Sequence, residues 1–351
     1  MTDSKLTIKA LNGVRGYAAL VVLIGHCSFR GMFDGTYYYL GGIQRSGGVY
    51  VFFVLSAFLL SARLNEVFSQ DNKPQGILNY FYRRLIRIIP LYYIVLIVYY
   101  AASTITGKNV IIVTFDSLFE SMALHRGYGV FWAIPVEFLS YFCFPVFVIL
   151  LRLISHQLTR VVVGICITCF LFYMIPNWIC DQWFYFQGVF FSGVTLYEVY
   201  KLINETNSNA WGVICFIAGV VGVLIQLALL PFGYNFLFSV APENTFLEMQ
   251  FELSSIIACC FILAACKSKW VFKGLCEVDL LQYLGKISYS LYLWHWLIIN
   301  TVLQIKFNSY AQGVVAMVLA IIIAHISFRF IEEPFMKSKY LKSQWDKILG
   351  N

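Results

Sequence analysis

Residues 211–230 read WGVICFIAGVVGVLIQLALL, a run in which Gln226 is the one strongly polar side chain and Asp, Glu, Lys, Arg and His are absent. At about 1.5 Å rise per residue, some 20 helical residues cover the roughly 30 Å hydrocarbon core of a bilayer. A barrel strand needs only about 9–11 residues, and in lipid a lone segment satisfies its backbone polar groups only as a helix. The stretch is therefore predicted to be a transmembrane helix, within a span over 210–231.

Working outward, the same reading predicts about ten spans: 10–29, 47–62, 88–105, 130–151, 161–178, 183–199, 210–231, 247–266, 283–303 and 311–331. The whole composition agrees. Of 351 residues, 60% are hydrophobic and 12% charged, with mean hydropathy +0.74, whereas a soluble domain carries about a quarter charged residues. A soluble globular protein is excluded, and the fold class is an all-α integral membrane bundle. No polar or Ser/Gly/Pro-rich linker interrupts the pattern, so residues 1–351 read as a single transmembrane domain.

The net charge of +7 does not point to nucleic acid, because the basic residues sit in short gaps between apolar runs. With the N-terminus inside, 20 of the 25 Lys and Arg fall on the cytoplasmic side, and only Arg30, Arg45, Lys108, Arg126 and Lys306 fall outside. That is the positive-inside asymmetry, and an even number of spans places both termini in the cytoplasm. The first run is long and carries Arg15 and His26, so no cleavable signal peptide is expected. The cysteines lie mostly within apolar runs and read as small hydrophobes. Cys166 and Cys169 have a metal or redox spacing but lack a second pair, and no metal is expected.

An ionisable side chain at a span's centre costs about 2.5–3.5 kcal/mol on insertion scales, so each asks for a partner or a role. Arg15 and His26 are 11 residues apart in the first span, about three helical turns plus 20°, which puts them on one face with Arg15 toward the cytoplasm and His26 in the outer half. One stripe then addresses two substrates approaching from opposite sides; a snorkelling Arg and a hydrogen-bonded interface His are the bland alternative. Glu137 enters the fourth span from the outer side and is expected at a depth comparable with His26, where a carboxylate would fix the imidazole tautomer and leave the other nitrogen as a base. Ser288, Tyr292 and His295 fall at i, i+4 and i+7 in the ninth span, a polar stripe facing protein or water. His325 reads as structural.

Arg83, Arg84 and Arg87 place three guanidinium groups within about two turns at the cytoplasmic start of the third span. Such a cluster suits the phosphates of an anionic donor, with anchoring to lipid headgroups as the rival reading. On the outer side, Asp181, Gln182, Trp183, Tyr185 and Gln187, with Glu248 and Glu252, combine aromatic faces and carboxylates. They suit a sugar, and an interfacial aromatic belt has the same composition.

These segments together resemble acyltransferase family 3, the integral-membrane acyltransferases, many of which O-acetylate bacterial surface polysaccharides. The resemblance is carried over nearly the whole chain by Leu11-Asn12-Gly13-Val14-Arg15-Gly16-Tyr17 leading to His26, by Phe52-Phe53-Val54-Leu55-Ser56-Ala57-Phe58, by the arginine cluster, by Trp132 to Glu137, by Gly285-Lys286-Ile287-Ser288-Tyr289-Ser290-Leu291-Tyr292-Leu293-Trp294-His295-Trp296, and by Ile331-Glu332-Glu333-Pro334. Three departures stand out: Ala57 where Gly is usual, Phe138 where a second acidic residue often follows, and Leu297 where Pro is common.

The resemblance implies a ten-span domain of the bacterial cytoplasmic (inner) membrane, surrounded by lipid, that takes an acyl group from acyl-CoA, commonly acetyl-CoA, with Arg15 and His26 as the functional pair. Arg83, Arg84, Arg87 and Arg15 are then expected to hold the donor. His26 is expected to act as base or acyl carrier with Glu137 orienting it. Trp183, Tyr185, Glu252, Ser288, Tyr292 and His295 are expected to bind the substrate. The acceptor would be a sugar hydroxyl of a surface polysaccharide or its lipid-linked precursor. Some family members append a soluble hydrolase-like domain; about 20 residues after the last span leave no room for one, so direct transfer or a separate acyl-relay partner is expected. The alternative from another class is a transporter or flippase of an acylated or anionic lipid, against which the lack of an internal repeat argues.

Overall fold

The computed structural model describes residues 4–70, 72–107, 111–112, 114–178, 186–206, 208, 210–239, 251–268 and 271–348. Among these residues the regular structure is entirely helical. Ten long helices carry the fold: α1 (Ser4–Phe29), α2 (Tyr50–Phe68, entered through a π-helical turn Gln44–Val49), α3 (Lys73–Thr106), α4 (Ala133–Arg152), α5 (Gln157–Trp178), α6 (Gln187–Thr206), α7 (Ala210–Leu229), α8 (Phe251–Lys267), α9 (Asp279–Val302) and α10 (Ser309–Ser327). Each of the ten expected segments therefore contains a long helix. Among the described residues six helical stretches are long and apolar enough to cross a membrane: those containing α1, α2, α3, α4, α7 and α10. The protein is a membrane helical bundle.

Which way each helix faces follows from its side chains. α7 turns Val213, Ile214, Ile217, Val220, Val221, Leu224 and Leu227 outward, as a lipid-facing helix must, and keeps Cys215, Gly219, Gly222 and Gln226 inside. α3 has 34 residues, about 51 Å of rise, which exceeds the hydrocarbon thickness by roughly 20 Å. Its first turns carry the arginine cluster.

The most extensive contact in the bundle is between α1 and α9, and glycine permits it. A Cβ at Gly16 would lie 1.9 Å from the Leu281 carbonyl oxygen, and one at Gly285 would lie 2.0 Å from that of Asn12. Close backbone approach maximises dispersion contact where hydrophobic burial supplies no drive between helices in lipid. Asn12 adds polar stitching, donating from Nδ2 to the Gln282 carbonyl at 2.8 Å, while Gln282 Nε2 donates to the Lys9 carbonyl at 2.7 Å. The Leu-Asn-Gly-Val-Arg-Gly and Gly-Lys-Ile-Ser segments are thus two sides of one interface.

Two of the departures have structural accounts. The Cβ of Ala57 faces Gly193 of α6, whose own Cβ would come within 2.8 Å of it and 2.3 Å of the Val54 carbonyl, so the methyl on α2 is met by a glycine on α6. At Leu297, the Tyr99 hydroxyl of α3 accepts from the Leu297 N–H at 2.8 Å and donates to the Leu293 carbonyl at 3.1 Å. A side-chain hydroxyl thus bridges the α9 backbone at the position where a proline would have removed the donor.

Candidate active site

A cavity of about 380 Å³ opens at the start of α3 and runs inward between α1, α2, α3, α4 and α9, a size within the usual range of small-molecule sites, about 300–1,000 Å³. Gly76, Asn79 and Arg83 line its mouth; Arg84, Arg87, Arg15 and Glu137 line its middle; Val49, Phe53, Ala133, Ile134 and Tyr292 lie at the far end. Since α2 and α4 begin on the side opposite to the start of α3, the cavity reaches most of the way across the bundle.

The middle is basic. Arg83 is exposed, and Arg15, Arg84 and Arg87 are half-buried. Among the described residues no carboxylate lies within ion-pair distance of these four; the ion pairs found are those of Arg63, Lys201, Arg329 and Lys337. Arg84 Nε is buried without a hydrogen-bond partner among the described residues, a costly arrangement for a charged donor unless a ligand completes it. The structure thus brings the first-span arginine and the α3 cluster to one chamber.

Glu137 lines the same chamber, but it is not paired with His26. Its Oε1 accepts from Ser56 Oγ at 2.6 Å and from the Tyr141 hydroxyl at 2.7 Å. The expected pairing rested on matched depth, and depth along two helices does not make them neighbours. The helix that packs most extensively on α1 is α9, and a serine of α2 reaches the carboxylate instead.

His26 lies beyond the cavity's far end, half-buried. Its Nδ1 is 3.0 Å from His295 Nε2, the two rings stack with centroids 4.9 Å apart, and Trp296 meets His26 edge-on at 5.2 Å. His295 is 1% exposed, and its Nδ1 is 2.6 Å from the Tyr292 carbonyl. Tyr292 separates this pair from the cavity: its ring lies 5.7 Å from that of His295, and its hydroxyl donates to the Val130 carbonyl.

The remaining expectations divide. Ser288 and Tyr292 face the cavity, while His295 sits behind it against His26. Glu252 is exposed in the first turn of α8 and does not line the cavity. Gln187 is buried and donates from Nε2 to Ser140 Oγ at 3.1 Å, so it faces the interior and not an outer solvent surface. Trp183 and Tyr185, with Asp181, Gln182 and Glu248, lie outside the described residues. His325 meets the Tyr283 hydroxyl at 2.7 Å on the exposed side of the bundle. Two contributors were not singled out from the sequence: Tyr141, legible as the i+4 neighbour of Glu137, and Tyr99, which carried no signal beyond its aromatic type.

The fold and the site define an intramembrane helical bundle with a phosphate-compatible chamber on one side and a histidine pair at the chamber's far end. The acyltransferase domain family profile matches residues 8–329, and the chain belongs to that family. A protein of Staphylococcus aureus (strain COL), provisionally named an O-acetyltransferase, is 26% identical over 96% of this chain and 59% of its own length. The protein named peptidoglycan O-acetyltransferase OatA of Listeria monocytogenes serovar 1/2a is 23% identical over 96% of this chain and 57% of its own length. The chain thus spans somewhat over half the length of these relatives. No solved structure matches it.

Proposed function

We propose that this chain is a membrane O-acetyltransferase that takes an acetyl group from cytoplasmic acetyl-CoA and delivers it to a glycan hydroxyl at the opposite face. One observation carries the reading: a chamber lined by Arg83, Arg84, Arg87 and Arg15, which have no carboxylate partner among the described residues, leads through the bundle to Tyr292, behind which stand His295 and His26. Guanidinium groups at the mouth pair with the donor's phosphates, bidentate where geometry allows. The thioester arm then points along the chamber toward the histidines.

In the transfer step the acceptor oxygen attacks the thioester carbon as its proton passes to His26; the new C–O bond forms, the C–S bond breaks, and the thiolate departs with the donor and is protonated in solvent. Arg15, at the midpoint, adds positive charge where the anionic donor lies. Glu137, held by Ser56 and Tyr141, shapes the wall between the arginines and Tyr292. Ser288 and Tyr292 contact the acyl arm.

The reading includes a ten-span topology with both termini cytoplasmic, in the cytoplasmic membrane of a bacterium. A relative named for peptidoglycan makes a cell-wall glycan the first acceptor to test. Acetyl transfer to the glycan is direct or relayed. The test is purified full chain in lipid nanodiscs with acetyl-labelled acetyl-CoA and a cell-wall glycan or its lipid-linked precursor. Base-labile label in the glycan is expected. Label that crosses the membrane of proteoliposomes intact, with no ester formed or donor cleaved, would establish a transporter instead.

A further inference from the structure

Three groups in a row, the Tyr292 carbonyl, His295 and His26, admit few arrangements of protons. A carbonyl only accepts, so the 2.6 Å contact to His295 Nδ1 places a hydrogen on that nitrogen. His295 is 1% exposed, and among the described residues no carboxylate forms an ion pair with it. A second proton would create a buried cation beside another histidine, with no ion-pair partner among the described residues. The ring is therefore neutral, and its Nε2 carries a lone pair. The 3.0 Å contact between that atom and His26 Nδ1 needs one hydrogen, which His26 Nδ1 must supply. His26 Nε2 is left bare.

We infer that His295 is a positioning residue: by accepting from His26 Nδ1–H it holds His26 in the tautomer whose Nε2 is free to take the proton of the acceptor hydroxyl. The inference deepens the acetyl-transfer reading and rests on it for the role of His26, although the tautomer itself does not. It moves His295 from the substrate-binding group, where its place on the α9 stripe had put it, to a site behind the base. It also assigns to a histidine of α9 the orienting task expected of Glu137. When the hydroxyl is deprotonated, the proton goes to Nε2, the oxygen keeps the O–H electron pair for the new C–O bond, and His26 becomes a cation whose Nδ1–H still points at the His295 lone pair. The same placement dictates that, if His26 carries the acyl group, the group resides on Nε2, since Nδ1 is occupied by its hydrogen bond. The rest of the cage fits a fixed ring: Trp296 packs edge-on to His26, Arg30 stands over Trp296 at 5.7 Å, and Tyr292 is held by the Val130 carbonyl.

The first measurement needs no variant of the pair. In protein labelled with ¹⁵N-histidine, at a pH where the ring is neutral, a bare ring nitrogen and an N–H nitrogen resonate far apart, and coupling to the ring carbon-bound protons tells Nδ1 from Nε2. There are five histidines, and the His26 signals are those lost in a His26→Ala sample. Hydrogen on Nδ1 is expected; hydrogen on Nε2 overturns the inference. The second measurement compares His295→Gln with His295→Asn. Gln brings a carbonyl oxygen to about the place of Nε2 and keeps an acceptor for His26, whereas Asn is too short to do so. Expected are kcat within about tenfold of wild type for Gln and a loss of about 10²-fold or more for Asn, with the KM for acetyl-CoA unchanged in both. Equal losses, or losses that appear in KM, would make His295 structural or substrate-binding and overturn its positioning role. Failure of the wild-type chain to transfer acetyl would sink the functional reading while leaving the tautomer measurement intact.

Discussion

The two ends of α1 that carry Arg15 and His26 lie in opposite surroundings. Around Arg15 the bundle is open: a cavity of about 380 Å³ lined by five arginines, four of them without an ion-pair partner among the described residues, and a buried guanidinium nitrogen that none of those residues hydrogen-bonds. Around His26 it is closed, with two stacked imidazoles, an indole edge and a backbone carbonyl filling the space. Binding an anionic donor requires room and unpaired cations, because every internal ion pair would have to be broken first. Proton transfer requires a fixed ring with one nitrogen committed and the other free. Separating the two by 11 residues on one helix lets each environment be built without compromising the other.

The largest expected effect lies at the closed end. His26→Ala removes the base while leaving the arginine chamber unchanged, so acetyl transfer should fall by about 10²–10⁴-fold with donor affinity preserved. Labelled-donor turnover and equilibrium binding on the same sample check this. Retention of more than about a tenth of wild-type turnover would break the assignment of chemistry to this end.

Next comes the seam that holds both ends together. Gly285→Ala places a Cβ only 2.0 Å from the Asn12 carbonyl oxygen, so α1 and α9 must separate. Overpacking of this kind costs about 1–3 kcal/mol or more. Thermal unfolding in detergent should shift down, and because α9 carries both Tyr292 and His295, turnover should fall with it. An unshifted unfolding temperature would show that the interface is looser than the glycine contacts require.

At the open end the expected loss is smaller and of a different kind. Arg84→Lys with Arg87→Lys keeps positive charge and removes planar, paired donors. The KM for acetyl-CoA should rise about tenfold, equivalent to about 1.4 kcal/mol, with kcat and acceptor KM unchanged. An unchanged donor KM would reduce the cluster to membrane anchoring.

The comparison also shows what could be read from the chain and what could not. The ten helical segments were legible because apolar length is a one-dimensional property. The shared face of Arg15 and His26 was legible because helical periodicity is fixed. Arg15 and the α3 arginines, both expected on the cytoplasmic side, line one cavity. The partner of His26 was not legible. Glu137 and His295 were both plausible by depth and chemistry, and the choice depended on which helix approaches α1 most closely. That approach is set by Gly16 against Leu281 and Gly285 against Asn12, and a sequence displays glycines without showing what they face. The Tyr99 hydroxyl on the α9 backbone is hidden for the same reason: its effect lies 194 and 198 residues away.

Glu137→Gln gives the smallest expected effect and the sharpest test of the division between the two ends. The carboxylate belongs to the open end, where it lines the chamber with Arg15, Arg84 and Arg87. Its Oε1 accepts two hydroxyls, from Ser56 and Tyr141, and a Gln Oε1 has the two lone pairs to accept both, without charge assistance. What the substitution removes is negative charge facing an anionic donor. Donor KM should therefore fall by a fewfold or hold steady, kcat should stay within about threefold, and the histidine limb of the pH–rate profile should not move, because the carboxylate makes no bond to His26. A carboxylate that did pair with His26 would raise that histidine's pKa, and its removal would carry the limb to lower pH together with a large loss of kcat. That outcome would place Glu137 with the closed end and require a rearrangement of α1 against α4 during turnover.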